Sequence, residues 1–335
     1  MPHKPLVALV AVLLVATGCS RTPSGPQKYA VDVDAKSTAA DKFQFSAYFP
    51  GSLAVSPGDS VKFRNRSTEA PHTVSFGIKA DRSNQPPILT DAGENVAVFG
   101  PCVADESTAK LTTCDGERLP AFDGDGFWNS GVLQPKPAPK RAGDKSVTLK
   151  IAKHIDPGEY GFVCILHPLM NGTLRVVADE ADRTKPADAR KSGREAIDAA
   201  AASAKKLETP TVQHLEPNIS VVAAGWGDRV TAVNRYAPPR IEVEAGSRVR
   251  WEIGSPYEPH TITFDSPFDV GDPRGFEPGG VASGEDYDGG FANSGIIGPT
   301  GSPFEGNFEL TFTEPGTYEY ICLLHEGQKG AVTVT

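Results

Sequence analysis

Two short stretches of the chain hold residues able to do chemistry. YGFVCILHPLMNGTLRVV (160–177) contains Cys164, His167 and Met170, and YEYICLLHEGQKGAVTVT (318–335) contains Cys322, His325 and Gln328. Upstream of each, a Pro-His-Thr triplet supplies a further histidine, His72 and His260. One thiolate and two imidazoles suit copper. Two His and one Cys in a plane, with a weak axial Met, is the geometry of electron-transfer copper. In the first stretch Met170 lies three residues after His167, so His72, Cys164, His167 and Met170 are a complete set. Zinc also accepts Cys and His, but its structural sites are usually richer in Cys, and the thioether speaks for copper.

The likeness between the two stretches extends well beyond the metal motif. SLAVSPGDSVKFRNRSTEAPHTVSF (52–76) parallels RIEVEAGSRVRWEIGSPYEPHTITF (240–264). GFWNSGVL (126–133) parallels GFANSGII (290–297), and IDPGEYGFVCILH parallels TEPGTYEYICLLH. Three matching blocks in one order mean a duplicated domain. His72 and Cys164 are 92 residues apart and His260 and Cys322 are 62 apart, so the first copy carries an insertion.

Within each copy the pattern is β. VTLKIAK, YGFVCIL and TLRVVA alternate or run apolar, with Pro-Gly or Asn-Gly between them. The 34 Gly and 29 Pro favour turn-rich sheets over helical bundles. The expected fold is all-β, with two antiparallel Greek-key sandwiches over 29–178 and 211–335. Between them, 179–210 is charged and Ala-rich. Pro186 suits a helix start and Pro210 a stop, which predicts an exposed helix of about five turns acting as a spacer. A disordered linker is the alternative.

The cluster C-x-x-H-P-x-M-x-G, with Pro-Gly-x-Tyr before it and Pro-His-Thr-Val upstream, resembles the blue-copper cupredoxins. The short Cys-to-His spacing is most similar to amicyanin and plastocyanin. The resemblance covers most of the chain after its leader. It implies two cupredoxin-like barrels or sandwiches, each with copper near one end, two coppers per chain. Gln328 stands where Met would be. A Gln oxygen can serve as the axial ligand, as in the stellacyanin-like cupredoxins, so His260, Cys322, His325 and Gln328 are the second set. The amide oxygen is harder than thioether sulfur and favours Cu(II). This predicts a lower potential at the Gln site and electron flow from the second domain to the first. Around the ligands, Thr73 and Thr261 are placed to hydrogen-bond to the Cys loop. Asn129, Ser130, Asn293 and Ser294 either brace the sites or form a shared tight turn. Phe127, Trp128 and Phe291 read as core residues.

The formal net charge of −9 argues against nucleic acid as a partner. MPHKPLVALVAVLLVATGCS reads as a secretory leader over 1–18, its apolar run too short to span a bilayer well. Small residues before Cys19 resemble a lipoprotein cleavage box, with Ala16 where Leu is commoner. Cys19 is then the lipidated first residue of the mature chain, followed by a flexible tether up to residue 28. The alternative is ordinary secretory cleavage nearby. Under either, the protein works outside the cytoplasm; with the lipid, it sits on the outer face of the bacterial cytoplasmic membrane, beside redox partners. Of five cysteines, Cys102 and Cys114 remain and can pair in an oxidising compartment.

Two cupredoxin domains also occur in copper nitrite reductases and small laccases, which need further His-rich centres. This chain has seven His. Four are ligand candidates, His3 lies in the leader, and His154 and His214 read as solvated. No His-x-His pair exists, so a trinuclear cluster cannot be built. The leading reading is a membrane-tethered electron carrier. Copper handling is the alternative, which Met-rich or His-rich tracts would favour; the chain has two Met. Redox-inert scaffolding is the third.

Overall fold

The computed structural model describes residues 24–36, 43–68, 70–77, 102–105, 110–112, 119–125, 127–135, 145–167, 169–216, 218–302 and 304–335. They form two β-sandwiches of the same plan. In the first, one sheet runs in the order Ser146–Lys150, Ser60–Asn65, Lys28–Val33, Tyr48–Phe49. The facing sheet begins Ser52–Val55, Asn171–Val176, Gly158–Val163, Ser75–Phe76, Phe127–Asn129. In the second, Phe308–Phe312, Ser247–Gly254, Ile219–Gly227 and Thr231–Ala237 repeat the first sheet. Arg240–Val243, Lys329–Val334, Gly316–Ile321, Thr263–Phe264 and Ala292–Asn293 repeat the other. Lys28–Val33 pairs parallel with Ser60–Asn65, as Ile219–Gly227 does with Ser247–Gly254. The sheets are therefore mixed, not purely antiparallel as expected.

Alternation explains which way each strand faces. Val61, Phe63 and Asn65 point inward from SVKFRN while Lys62 is exposed; Val249 and Trp251 do the same in SRVRWEIG. Trp128, Phe63, Phe76 and Phe162 centre one core, and Trp251, Phe264, Phe312 and Tyr320 the other. Phe291, expected in a core, is only half-buried. Gly172 and Gly330, the last matching positions of the two metal motifs, have a packing reason. A Cβ there would lie 2.3 Å from the Phe162 ring and 2.4 Å from the Tyr320 ring.

The helix Pro186–Ala204 starts at the expected proline and ends before Pro210. It is not a free spacer. Its small-residue face, with Ala200 and Ala204, packs on Ala35, Phe45 and Phe49. Phe43–Phe45 then leaves the first sandwich and pairs antiparallel with Thr231–Ala237 of the second, Gln44 opposite Ala232. Phe45 joins the apolar cluster under the helix. The period of two turns Gln44 the other way, toward the space between the metal motifs.

Candidate metal centre

Each ligand set is built from two loops. His72 and Leu133 exchange backbone hydrogen bonds at 3.1 and 2.7 Å, and Asn65 Nδ2 donates to the carbonyls of Ala70 and Leu133, pinning the loop between. His260 and Ile297 repeat the exchange at 2.9 and 2.8 Å. The second loop closes on itself. Cys164 N donates to Met170 O, and Met170 N to His167 O. In the other copy Cys322 N donates to Gln328 O, and Gln328 N to His325 O. This folding brings Cys and His to one point in each sandwich and returns the backbone of the axial candidate onto the Cys.

The structure places His72, Cys164 and His167 together, and likewise His260, Cys322 and His325, with the donor atoms of each trio within 4.8 Å of one another. Cys164 Sγ lies 3.4 Å from His167 Nδ1 and 3.9 Å from His72 Nδ1; Cys322 Sγ lies 3.4 Å from His325 Nδ1 and 3.9 Å from His260 Nδ1. An ion bonded at roughly 2.0–2.3 Å to each donor in a plane sets sulfur and nitrogen about 3.8 Å apart. The observed gaps bracket that value. Met170 and Gln328 are both buried. Gln328 Oε1 comes within 3.0 Å of His260 Nδ1, while Gln328 Nε2 is buried without a partner. The amide therefore turns its oxygen, not its nitrogen, toward the donors. The donor chemistry fits copper.

The surrounding residues repeat as closely as the ligands. Thr73 N donates to Cys164 Sγ at 3.3 Å and Thr261 N to Cys322 Sγ at 3.4 Å. Thr73 Oγ1 accepts from Ile165 N, and Thr261 Oγ1 from Leu323 N. Ser130 Oγ accepts from Val74 N and Ser294 Oγ from Ile262 N, each holding the residue two after the upstream His. Asn129 Oδ1 accepts from Ser75 Oγ, and Asn293 Oδ1 from Thr263 Oγ1. The Asn-Ser pairs thus brace the His loops while Gly131 and Gly295 turn the chain at positive φ.

Three residues at the sites were not identified from sequence. Asp34, fully buried at φ 60°, sets Oδ2 3.2 Å from His72 Nε2, with Oδ1 accepting from Phe45 N. The strand register makes Gly225 its counterpart, at φ 69°. A Cβ at Gly225 would lie 2.1 Å from His260 Nε2, and that nitrogen is buried without a partner. Glu258, from the second sandwich, reaches both sites: Oε1 is 2.9 Å from His325 Nε2 and Oε2 is 3.5 Å from His167 Nε2. Gln44 Nε2 donates to Glu258 Oε2 at 2.8 Å and sits 3.1 Å from His167 Nε2, while Asn234 Nδ2 donates to Gln44 Oε1. The signal for Glu258 was a carboxylate two residues before a candidate ligand, in YEPH, where the first copy has Ala70 in EAPH. Nothing local marks Asp34 or Gln44.

Charges in these pockets are tightly matched. Burial pushes the Cys164 thiol up, but His167 and then His72 hold it well below its ordinary value. His325 and His260 do the same for Cys322. Burial opposes protonation of His167, yet Glu258 and then Cys164 raise it to about 10. His325 is raised to about 10 against burial by Cys322 and then Glu258. Glu258 is held far below the carboxylate range, against burial, by His167 and His325. Without metal the thiolates and imidazoles already favour their paired charged forms; a metal ion would replace the protons between them.

His154 and His214 are both exposed, and His214 Nδ1 lies 3.3 Å from Ser220 Oγ. Cys19 with its leader, and Cys114 with its pairing to Cys102, lie outside the described residues. No helix among the described residues is long and apolar enough to cross a membrane.

A family model described as copper binding proteins, plastocyanin/azurin family, matches residues 229–335. Among solved structures, an alanine variant of amicyanin in its Cu(I) form is similar at 22% identity and TM-score 0.24, over 37% of this chain and 92% of that one. A glutamine variant of amicyanin, also Cu(I), gives 20% identity and TM-score 0.23, over 38% and 100%. A purple cupredoxin from Nitrosopumilus maritimus gives 27% and 0.20, over 34% and 98%. Curated protein sequences give no match.

Proposed function

We propose, from the match of residues 229–335 to the plastocyanin/azurin family model of copper-binding proteins, that the chain carries electrons through two copper sites, one per sandwich. The observation behind this is the pair of buried His-Cys-His sets, matched to 0.1 Å or better in their sulfur–nitrogen gaps. Bound copper supplies a one-electron Cu(I)/Cu(II) couple. The protein's part is to hold the donors in one arrangement for both oxidation states and to keep water out. Thr73, Ser130, Thr261 and Ser294 fix the loops, and Met170 and Gln328 supply the weak fourth donors.

Such bracing favours a carrier over a copper-delivery protein, whose ligands must let the metal go. It also favours a carrier over an enzyme. Every buried histidine among the described residues sits in one of the two sets, which leaves none for a catalytic copper. The leader and Cys19 support an exported protein, lipid-anchored on the outer face of the cytoplasmic membrane, exchanging electrons with redox proteins there.

The test is bound copper per chain and the thiolate-to-copper absorption of the chain beginning at residue 20. Two coppers are expected, with one band lost in Cys164→Ser and the other in Cys322→Ser. A single copper lost only with Cys164→Ser leaves the second sandwich as a docking domain and removes the two-site reading.

A further inference from the structure

We propose that Glu258 wires the two sites together: the carboxylate bridge His167–Glu258–His325 is the route by which they exchange an electron within one chain. The inference rests on the two-copper reading above. In each set the two imidazoles differ in what their outer nitrogens meet. Those of His72 and His260 face Asp34 and Gly225 of their own sandwich. Those of His167 and His325 converge on one carboxylate, at 3.5 and 2.9 Å. A ring that binds metal through Nδ1 keeps its hydrogen on Nε2, so His325 donates to Glu258 Oε1 at 2.9 Å, while His167 Nε2 faces Oε2 at ion-pair distance, 3.5 Å, beside Gln44 Nε2 at 3.1 Å. The path from one ligand set to the other then consists of covalent bonds, one hydrogen bond and one ion-pair contact. Electronic coupling decays steeply across empty space and less steeply along such a path.

The bridge is a built feature, drawn from both sandwiches. Glu258 N donates to Ser255 Oγ at 3.1 Å, and its carboxylate accepts from Gln44, which the strand exchange brings over from the first sandwich. Asn234 holds Gln44 in turn. A buried carboxylate is costly unless its hydrogen bonds are filled, and here they are filled by groups from both sites. His167 and His325 are only 4% and 3% exposed, so these ring edges serve the partner site and not an outside protein. In the exchange, Cu(I) at one site loses one electron to become Cu(II), and Cu(II) at the other gains it to become Cu(I). No bond is made or broken and no proton moves.

The experiment uses the chain from residue 20 with both sites copper-loaded and oxidised. A radiolysis pulse delivers less than one electron per chain, and redistribution between the two thiolate-to-copper bands is followed. In E258A both imidazole contacts of the carboxylate are lost. In E258Q one is, because the amide offers a donor where an acceptor is needed. Q44A leaves the carboxylate but removes its support. Intramolecular exchange is expected to slow most in E258A, less in E258Q and least in Q44A, each read on chains shown to hold two coppers, since removing a partner of a ligating imidazole also weakens metal binding. Nitrogen-15 spectra of the Cu(I) protein give a separate readout. The Nε2–H signals of His167 and His325 should be protected in the native chain and both lose protection in E258A, while that of His72 does not. Unchanged exchange in E258A with both coppers bound overturns the bridge and leaves the copper sites standing. Fewer than two coppers in the native chain overturns the underlying reading as well.

Discussion

At His72 the outer ring nitrogen meets the Asp34 carboxylate; at His260 the equivalent nitrogen meets the bare Cα of Gly225. Apart from Met170 against Gln328, the ligand loops of the two copies share their hydrogen-bond plan down to the bonds of Thr73 and Thr261. After duplication the ligands and their braces stayed, and the groups behind the imidazoles diverged. Site one has a carboxylate behind each of its histidines, Asp34 and Glu258. Site two has only its share of Glu258. An anionic partner makes a ligating imidazole a stronger donor and favours the more highly charged metal ion. At site one this works against Met170, whose soft sulfur favours Cu(I). In the copper-loaded protein proposed above, Asp34 would therefore narrow the gap in potential expected from Met170 and Gln328, while Glu258 acts on both sites.

The comparison breaks most severely at Gly225. A Cβ there collides with His260, and the positive φ adds about 1–2 kcal/mol for a non-Gly residue. Gly225→Ala should abolish copper at site two and lower Tm, with site one still loaded. D34G, at the same place in the first copy, introduces no clash and should keep both coppers. Copper per chain and calorimetry check the pair; a G225A chain with two coppers would mean that His260 has room it does not show.

The axial exchange is next. M170Q should lower the potential of site one and Q328M raise that of site two, each by on the order of 2 kcal/mol, ~90 mV for one electron. In the double variant the order of the sites reverses. Spectroelectrochemistry on the two bands reads both. D34N keeps a hydrogen-bonding group behind His72 but removes its charge. It should raise the potential of site one by on the order of 1 kcal/mol, about 40 mV, and leave site two unmoved. A fall at site one would show that Asp34 only positions the ring.

The six His and Cys that the structure gathers into two trios were legible in the sequence, because each belongs to a local motif that occurs twice in the same surroundings. So was the helix from Pro186, announced by its proline and its composition. The exchange of Phe43–Phe45 between sandwiches was not. Three residues of FQF carry no mark of which sheet they will join, and nothing in sequence sets Gln44 against Glu258, 214 positions away. Asp34 was hidden for a related reason. Its counterpart is a glycine, so repeat matching, which found the ligands, passes over a position where the copies differ. The parallel pairing of Lys28–Val33 with Ser60–Asn65 is likewise a long-range choice that alternation alone does not reveal.

The smallest expected difference lies away from the metal, on the outer face of the matching strands. Glu309 pairs with Arg250 at 2.7 Å and Arg248 at 3.1 Å, where the first copy sets Thr148 beside Lys62. Burial pushes the Glu309 carboxyl up, but its hydrogen bonds and charge contacts with Arg250 and Arg248 outweigh this and hold it below 4.5, its ordinary value. A carboxylate with a depressed folded pKa adds stability that is fully present above that ordinary value and is lost as pH falls through the folded one. Replacing Glu309 with the threonine of the first copy should cost about 1 kcal/mol or less at neutral pH, since such pairs are screened by solvent. The cost should disappear in acid, where Glu309 is protonated. Denaturant midpoints at the two pH values check it, and copper binding should be the same in both proteins. An equal loss at both would assign Glu309 a packing role and leave the two sandwiches alike in their surface electrostatics.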